Sequence, residues 1–272
     1  MQLSEIFVYP IKSMKGISLP EAQLTDRGLA LDRRWMLVDP EGMFLTARKF
    51  PRLLQMQVSI ESDGLIVQDM ADLAGTQVSI PFDHPAHTTM EVEVWGDRCM
   101  AHALSPEIDQ WFSEQIGQPC HLVYMPDDSH RPVEQPYAQH GEGVSFADGY
   151  PNLLIGKASL HHLNEKLETP VGMDRFRPNF IVDTEIPHEE DTWQTFRIGD
   201  LSFSGAKPCA RCVMITINSQ TGEKGKEPTA TLANYRKFGS KILFGMNLLH
   251  NQTGTLRVGD SVEIDAFQAN PS

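Results

Sequence analysis

The sequence predicts a mainly β protein with a few short helices. Short alternating segments punctuated by turn residues fill the N-terminal part, helical periodicity surfaces in three places, and the C-terminal part returns to alternation. The first strand runs from Met1 to Tyr9. Arg34-Trp35-Met36-Leu37-Val38 and Met43-Phe44-Leu45-Thr46-Ala47 flank Asp39-Pro40-Glu41-Gly42, a hairpin signal. Met56 to Ile60 alternates, turns at Ser62-Asp63-Gly64 and resumes at Leu65-Ile66-Val67. Met90 to Trp95 then meets Gly96-Asp97 and a further short strand. Such spacing favours a barrel or sandwich over a parallel α/β sheet. Ser105-Pro106-Glu107 supplies an N-cap, a proline at the first helical position and an early acid before Ile108, Trp111, Phe112 and Ile116, and Gly117 stops that helix. Leu160, Leu163 and Leu167 stripe a second helix, and a third is expected over Thr231 to Phe238. Strands return at Phe196 to Phe203, at the β-branched run Val213-Met214-Ile215-Thr216-Ile217, and at Leu256 to Glu263. The shared Gly-Asp of the first and last of these reads as two similar tight turns rather than a repeat.

At 272 residues the chain can bury a substantial core in one large or two ordinary domains. The expected division is 1–100 and 101–272, with the boundary between Trp95 and Cys120 and strands shared across it. Hydrophobic residues at 40% and charged residues at 22% are ordinary for a globular protein. A formal net charge of −13 disfavours a broad nucleic-acid or anionic-membrane surface, although a small basic pocket is compatible with it. The N-terminus lacks a basic signal-peptide region, and the apolar run Ile242 to Leu249 is too short for a membrane span and carries Asn247. Four cysteines are too few for a disulfide framework, and the ten histidines show no ligand spacing. The expectation is a cytoplasmic protein with neither nucleic-acid nor membrane partners.

The most informative stretch is Ser204 to Thr216, which carries Lys207-Pro208-Cys209-Ala210-Arg211-Cys212. A Cys-x-x-Cys admits several readings. Structural zinc needs a second ligand pair, and Cys99 and Cys120 are too far apart in sequence to form one. Dithiol redox chemistry usually places the motif at a helix N-terminus, whereas a strand is expected here; Lys207 and Arg211 would still favour a thiolate. A single thiolate can also ligate a soft metal held mainly by an organic cofactor. Two buried structural cysteines are the plain alternative.

The Lys207 to Cys212 loop, followed by Ser219-Gln220-Thr221-Gly222, resembles the cofactor loop of MOSC (molybdenum cofactor sulfurase C-terminal) proteins. It is most similar to that of the mitochondrial amidoxime-reducing components and their bacterial relatives. Val8-Tyr9-Pro10-Ile11-Lys12-Ser13-Met14-Lys15-Gly16 resembles the opening of that family's N-terminal β-barrel domain. Asp32 to Val38, Leu45-Thr46-Ala47-Arg48, Pro51-Arg52-Leu53, Asp148 before Tyr150-Pro151, Phe176-Arg177-Pro178-Asn179 and Leu243-Phe244-Gly245 also match, in order, over nearly the whole chain.

The resemblance implies a MOSC-type β-barrel fold behind an N-terminal barrel, with a molybdenum cofactor (Mo-molybdopterin) bound between the domains. It maps the metal ligand onto Cys212, with Cys209 as a structural neighbour. Lys12, Ser13 and Arg33 fall on the positions that hold the pterin's terminal phosphate, where a point charge, a hydroxyl and a planar fork suit phosphate oxygens. Arg177 and Asn179 fall on the pterin-contacting segment, the backbones of Ala210 and Arg211 adjoin the ligand, and Asp148 falls near the pocket as a candidate general acid. Met246-Asn247 stands where relatives carry an aromatic residue near the cofactor, which makes Asn247 a cofactor-side candidate. Ile186 stands where they carry a pocket aspartate, so the substrate preference is open. The implied activity is reduction of N-hydroxylated compounds, two electrons and two protons converting N–OH to N–H and water. The alternative is a cofactor- or sulfur-carrying module without turnover, as in sulfurase C-terminal domains; a third is a thiol oxidoreductase using Cys209 with Cys212. Some bacterial relatives carry a ferredoxin-type domain, whose cluster needs closely spaced cysteines. This sequence reaches Ser272 with no cysteine after Cys212. The expectation is therefore a separate ferredoxin- or flavodoxin-type carrier with its reductase, or a C-terminal ferredoxin domain missing from the sequence.

Overall fold

The computed structural model describes residues 1–270 apart from 73, 84–87, 135–136 and 138–140, so the final Ser272 lies outside the described residues. Strands dominate, as expected. The largest sheet has nine strands, ordered Val262–Phe267, Trp193–Ile198, Leu201–Ala210, Lys241–His250, Asn152–Gly156, Phe180–Val182, Leu3–Val8 and Ile17–Leu19, with Lys237–Phe238 paired off Lys241–His250. A second sheet joins Trp35–Val38, His121–Tyr124, Asp97–Ala103 and Thr88–Val94. Two three-stranded sheets complete the fold, Gly254–Arg257 with Glu21–Thr25 and Gly28–Leu29, and Met56–Ile60 with Gly64–Asp69 and Gln77–Pro81.

The chain's two ends are sewn together. Leu3–Val8 lies between Ile17–Leu19 and Phe180–Val182, and Glu21–Thr25 pairs with Gly254–Arg257. Accordingly Leu3, Ile6 and Val8 share one apolar core with Leu154, Phe180, Trp193, Phe196 and Phe203. A second core gathers Ile11, Trp35, Leu37, Leu53 and Leu122 with Ile108 and Phe112 of α1 (Pro106–Ile116). The Ser105 hydroxyl accepts from the Ile108 amide and Gly117 closes α1 at φ 73°, so both ends of that helix follow the sequence signals. Among the described residues no helix is long and apolar enough to cross a membrane.

Four local expectations change. Met43 and Phe44 make isolated bridges to Glu93 and Val38 instead of a continuous strand, because the Asp39 carboxylate caps the Glu41 and Met43 amides and tightens the turn. A Cβ at Gly42 would lie 2.5 Å from the Glu91 carbonyl, so glycine is required for that close approach. α2 covers Lys157–Asn164, leaving Leu167 beyond its end, half-buried against the same cluster as Leu163. α3 covers only Thr229–Ala233; Lys237–Phe238 instead turns through Gly239 into a hairpin with Lys241–Ile242. The strand expected at 213–217 is a 3₁₀ turn over Val213–Thr216. The turn buries Ile215 beside Phe176 and Phe244 while Val213 points outward, so packing overrides the β preference of the run.

Candidate functional site

Strand register brings distant segments to one cleft. Ile6 pairs with Phe180, so the chain leaving Leu3–Val8 toward Lys12 meets the chain entering Phe180–Val182 from Arg177. Leu154 also pairs with Phe180, in parallel, which brings the approach to Asn152–Gly156, including Asp148, to the same edge. Backbone bonds lock these segments: Phe7 N–H to Asn179 O at 2.8 Å, Asn179 N–H to Leu153 O at 2.8 Å, Arg33 N–H to Tyr9 O at 2.8 Å and Lys12 N–H to Trp35 O at 2.8 Å. The cysteine loop arrives on the strand Leu201–Ala210 and is held by Arg211 N–H to Ile242 O at 2.7 Å.

The cleft is open to solvent, with about 900 Å³ of space counting the solvent at its mouth. All ten residues singled out from the sequence line it: Lys12, Ser13, Arg33, Asp148, Arg177, Asn179, Ala210, Arg211, Cys212 and Asn247. Cys209 lines it too, whereas Ile186 is exposed and is not part of its wall. The lining includes Arg48, Trp95 and Arg175, which the sequence reading did not single out. Arg48 ended a family-like motif and Trp95 ended a predicted strand, so both were visible as motif edges but not as site residues. The wall thus carries six cationic side chains against the carboxylate of Asp148, inside a chain of net charge −13.

The cations are fixed by their surroundings. Lys12 Nζ donates to Phe146 O at 2.7 Å and Asp148 Oδ1 at 2.6 Å; burial lowers its pKa and the Asp148 charge opposes that. The Arg33 guanidinium donates to Asp32 Oδ2 at 2.6 Å, to Asn179 Oδ1 at 3.2 Å and to Arg177 O at 3.3 Å. Tyr9 lies against both Arg33 and Arg177, at 4.3 Å and 4.2 Å from its ring centre, so its π-face spaces two like charges. Burial pushes the Tyr9 phenol up to about 12 and brings Arg177 down to about 10, which leaves that guanidinium charged at neutral pH. Arg211 donates to Cys209 Sγ at 3.1 Å and to Phe176 O at 2.7 Å.

Asp148 and Asn179 are both tied into the wall by hydrogen bonds. The Asp148 side chain is 68% exposed yet crowded by protein on one side, and the Lys12 ammonium, the Trp95 indole N–H at 3.1 Å and Arg48 outweigh that desolvation and hold the carboxyl well below the usual range. A carboxylate held ionised accepts hydrogen bonds, as this one does from Lys12 and Trp95. Asn179 is buried; its Oδ1 accepts from the Leu153 amide and Arg33, and its Nδ2 donates one N–H to Phe7 O, so it braces the wall it lines and keeps a second N–H. Backbone strain also concentrates here. Among the described residues, Ser13, Leu31, Arg33, Trp95, Arg177 and His188 are the non-glycine positions with positive φ, and four of these six line the cleft. Left-handed backbone costs a bulky residue about 1–2 kcal/mol, and such outliers gather where surroundings enforce a functional placement.

Residues 1–119 match the MOSC N-terminal beta barrel domain and residues 141–263 the MOSC domain. Mitochondrial amidoxime reducing component 2 of Rattus norvegicus is 33% identical, over 96% of this chain and 82% of that protein. Mitochondrial amidoxime-reducing component 1 of Homo sapiens is 30% identical, over 96% and 82% respectively. The molybdenum cofactor sulfurase of Oryza sativa subsp. japonica is 33% identical over 91% of this chain, which spans 32% of that larger protein. The chain therefore belongs to the MOSC family, in the group that joins a MOSC N-terminal β-barrel domain to a MOSC domain.

Proposed function

We propose that this protein binds a molybdenum–molybdopterin cofactor in the cleft and reduces N-hydroxylated small molecules with electrons from a separate carrier. The observation that supports this reading best is the concentration of six cationic side chains around a cysteine pair, in an acidic protein. That donor set fits a phosphate-bearing, soft-metal cofactor: cations and a hydroxyl for the phosphate, a thiolate for the metal.

In this reading Cys212 is the metal ligand and Arg211, bonded to the neighbouring sulfur of Cys209, keeps Cys209 beside it as a structural partner. Lys12, Ser13 and Arg33 hold the phosphate end. Lys12 has one of its three ammonium protons left over from its two protein bonds, and Ser13 presents its hydroxyl from a left-handed turn. Arg177, Asn247 and the backbone at Ala210 flank the pterin, with Asn179 bracing Arg33. When bound, the cofactor supplies the two-electron and oxygen-atom chemistry. The ionised Asp148 orients Lys12 and offers an acceptor to a substrate N–H. The proton for the departing oxygen then comes from water or an acid other than Asp148.

The test is metal and pterin content of protein made in a host that synthesises molybdopterin, followed by benzamidoxime reduction. Wild type is expected to carry molybdenum. Cys212→Ala should lose both metal and turnover, and Cys209→Ala should keep most of the metal. NAD(P)H alone should not drive turnover, whereas an artificial low-potential donor, or a reductase with a small carrier, should. Cofactor retained without turnover under any donor would shift the reading to a carrier module, for which the similarity to the rice sulfurase is the support. A dispensable Cys212 beside an essential Cys209 would overturn the ligand assignment.

A further inference from the structure

We propose that Trp95, clamped by Arg48, Phe44 and Asp148 at the wall of the cleft, is a stacking platform that selects flat aromatic substrates over compact aliphatic ones. The inference rests on the reading of the cleft as a reductase site and adds a specificity residue to it.

The turn between the strands Thr88–Val94 and Asp97–Ala103 consists of Trp95 and Gly96, both at positive φ, 54° and 91°. Two-residue hairpin turns with this backbone favour Asn, Asp or Gly at both places, because a side chain at positive φ crowds its own backbone. A tryptophan in the first place works against the local preference of the turn. It is also 43% exposed, although Trp35 and Trp193 are almost wholly buried. A large apolar ring kept both strained and wet gains little from burial, so its worth must come from what it presents.

The ring is nevertheless held still. Its Nε1–H donates to Asp148 Oδ1 at 3.1 Å. The Arg48 guanidinium lies 4.2 Å from the ring centre, and the Phe44 ring lies 4.6 Å away at 63° to it. These three contacts fix its orientation, and 43% of the residue stays exposed at the wall of a cleft that Tyr150, Leu153, Phe176 and Met214 line beside the cations and cysteines. A flat conjugated group stacks on such a face through dispersion and quadrupole attraction, and a short alkyl group of the same functional class forgoes that contact. Asp148 sits on the indole edge, so a substrate stacked on Trp95 has an acceptor for an N–H beside the ring.

The experiment compares molybdenum-loaded wild type with Trp95→Asn, Trp95→Ala and Trp95→Phe, using an aromatic and a short aliphatic N-hydroxylated compound with an artificial electron donor. The kcat/KM ratio of aromatic over aliphatic substrate should fall about five- to tenfold in Trp95→Asn and Trp95→Ala, chiefly through KM, and recover largely in Trp95→Phe. Trp95→Asn suits the turn, so it should fold with Tm within a few degrees of wild type. Metal and pterin content should be unchanged. An unchanged ratio, or an equal loss for both substrates, overturns the platform; so does loss of cofactor in folded Trp95→Asn, which would place the ring against the cofactor. Should no N-hydroxylated compound be turned over by wild type, the reductase reading fails separately. Calorimetry with benzamidine on the metal-free protein then decides the platform: binding by wild type that Trp95→Asn weakens about fivefold upholds it, and equal or absent binding removes it.

Discussion

The site's residues serve the fold and the cleft together, and Arg33 shows it best. The sequence places it at the phosphate end, and its bonds to the buried Asp32, to Asn179 and to the Arg177 carbonyl make it a structural member as well. Arg33→Ala leaves the Asp32 carboxylate buried with its cation gone, and breaking such a pair costs about 3 kcal/mol. Urea unfolding should show that loss in the cofactor-free protein; a loss below about 1 kcal/mol would contradict it. Ser13 separates the two roles better. Its φ of 73° is left-handed, so Ser13→Gly relieves strain while deleting the small hydroxymethyl side chain. Expected outcomes are a Tm within about 2–3 °C of wild type and a lowered molybdopterin content in purified protein. Full retention of the cofactor would remove Ser13 from the phosphate end.

At the scale of elements, a buried carboxylate couples one short turn to the main sheet. The 3₁₀ turn Glu189–Thr192 places Glu190 under the strand Asn152–Gly156, where its carboxyl accepts from the Gly156 amide at 3.2 Å and the Ser159 hydroxyl at 2.7 Å. Burial, aided by the charge of Asp191, pushes Glu190 up to about 7 from its ordinary 4.5. Between those values the folded protein holds a proton that the unfolded chain has released. Its contribution is therefore fully present at pH 4.5 and below, and is lost as pH rises toward 7. His188, pushed down to about 3 by burial, Arg236 and His162, acts with the opposite sign over an overlapping window. The difference between wild type and Glu190→Gln isolates the glutamate. Relative to wild type, the variant should gain stability from pH 5 to pH 8, by at most about 3 kcal/mol from the size of the shift. Parallel pH profiles in chemical denaturation would show that Glu190 does not titrate in that window.

Across the whole molecule, the strands Leu3–Val8 and Glu21–Thr25 are structurally part of the C-terminal half. Leu3–Val8 fills an interior place in the nine-stranded sheet, and Glu21–Thr25 pairs with Gly254–Arg257. Without those strands Phe180, Trp193 and Phe196 lose their apolar partners Leu3, Ile6 and Val8. Residues 101–272 expressed alone should therefore lack the sharp urea transition and the near-ultraviolet dichroism of the full chain, and co-expression with residues 1–100 should restore both. A cooperatively folded 101–272 fragment would show that the halves are independent. The same interlocking explains why the cleft is assembled from stretches spread between Lys12 and Asn247 and cannot form from either half.

Strand-rich architecture, the capped helix α1 and ten of the residues that line the cleft were legible in the sequence, because turn chemistry, alternation and short family-like motifs are local signals. The conformation of the run after Cys212 was not. Its β-branched residues favour a strand, but Ile215 gains more by packing beside Phe176 and Phe244, residues close to it only in the folded chain. The roles of Asp148 and Asn179 were equally hidden, since the first depends on Lys12, Arg48 and Trp95, and the second on Phe7 and Arg33. Arg48 and Trp95 escaped for the same reason. A sequence determines which groups are available and how each short segment prefers to bend; charge state, strain and burial are set by neighbours that only the folded chain brings within a few ångströms.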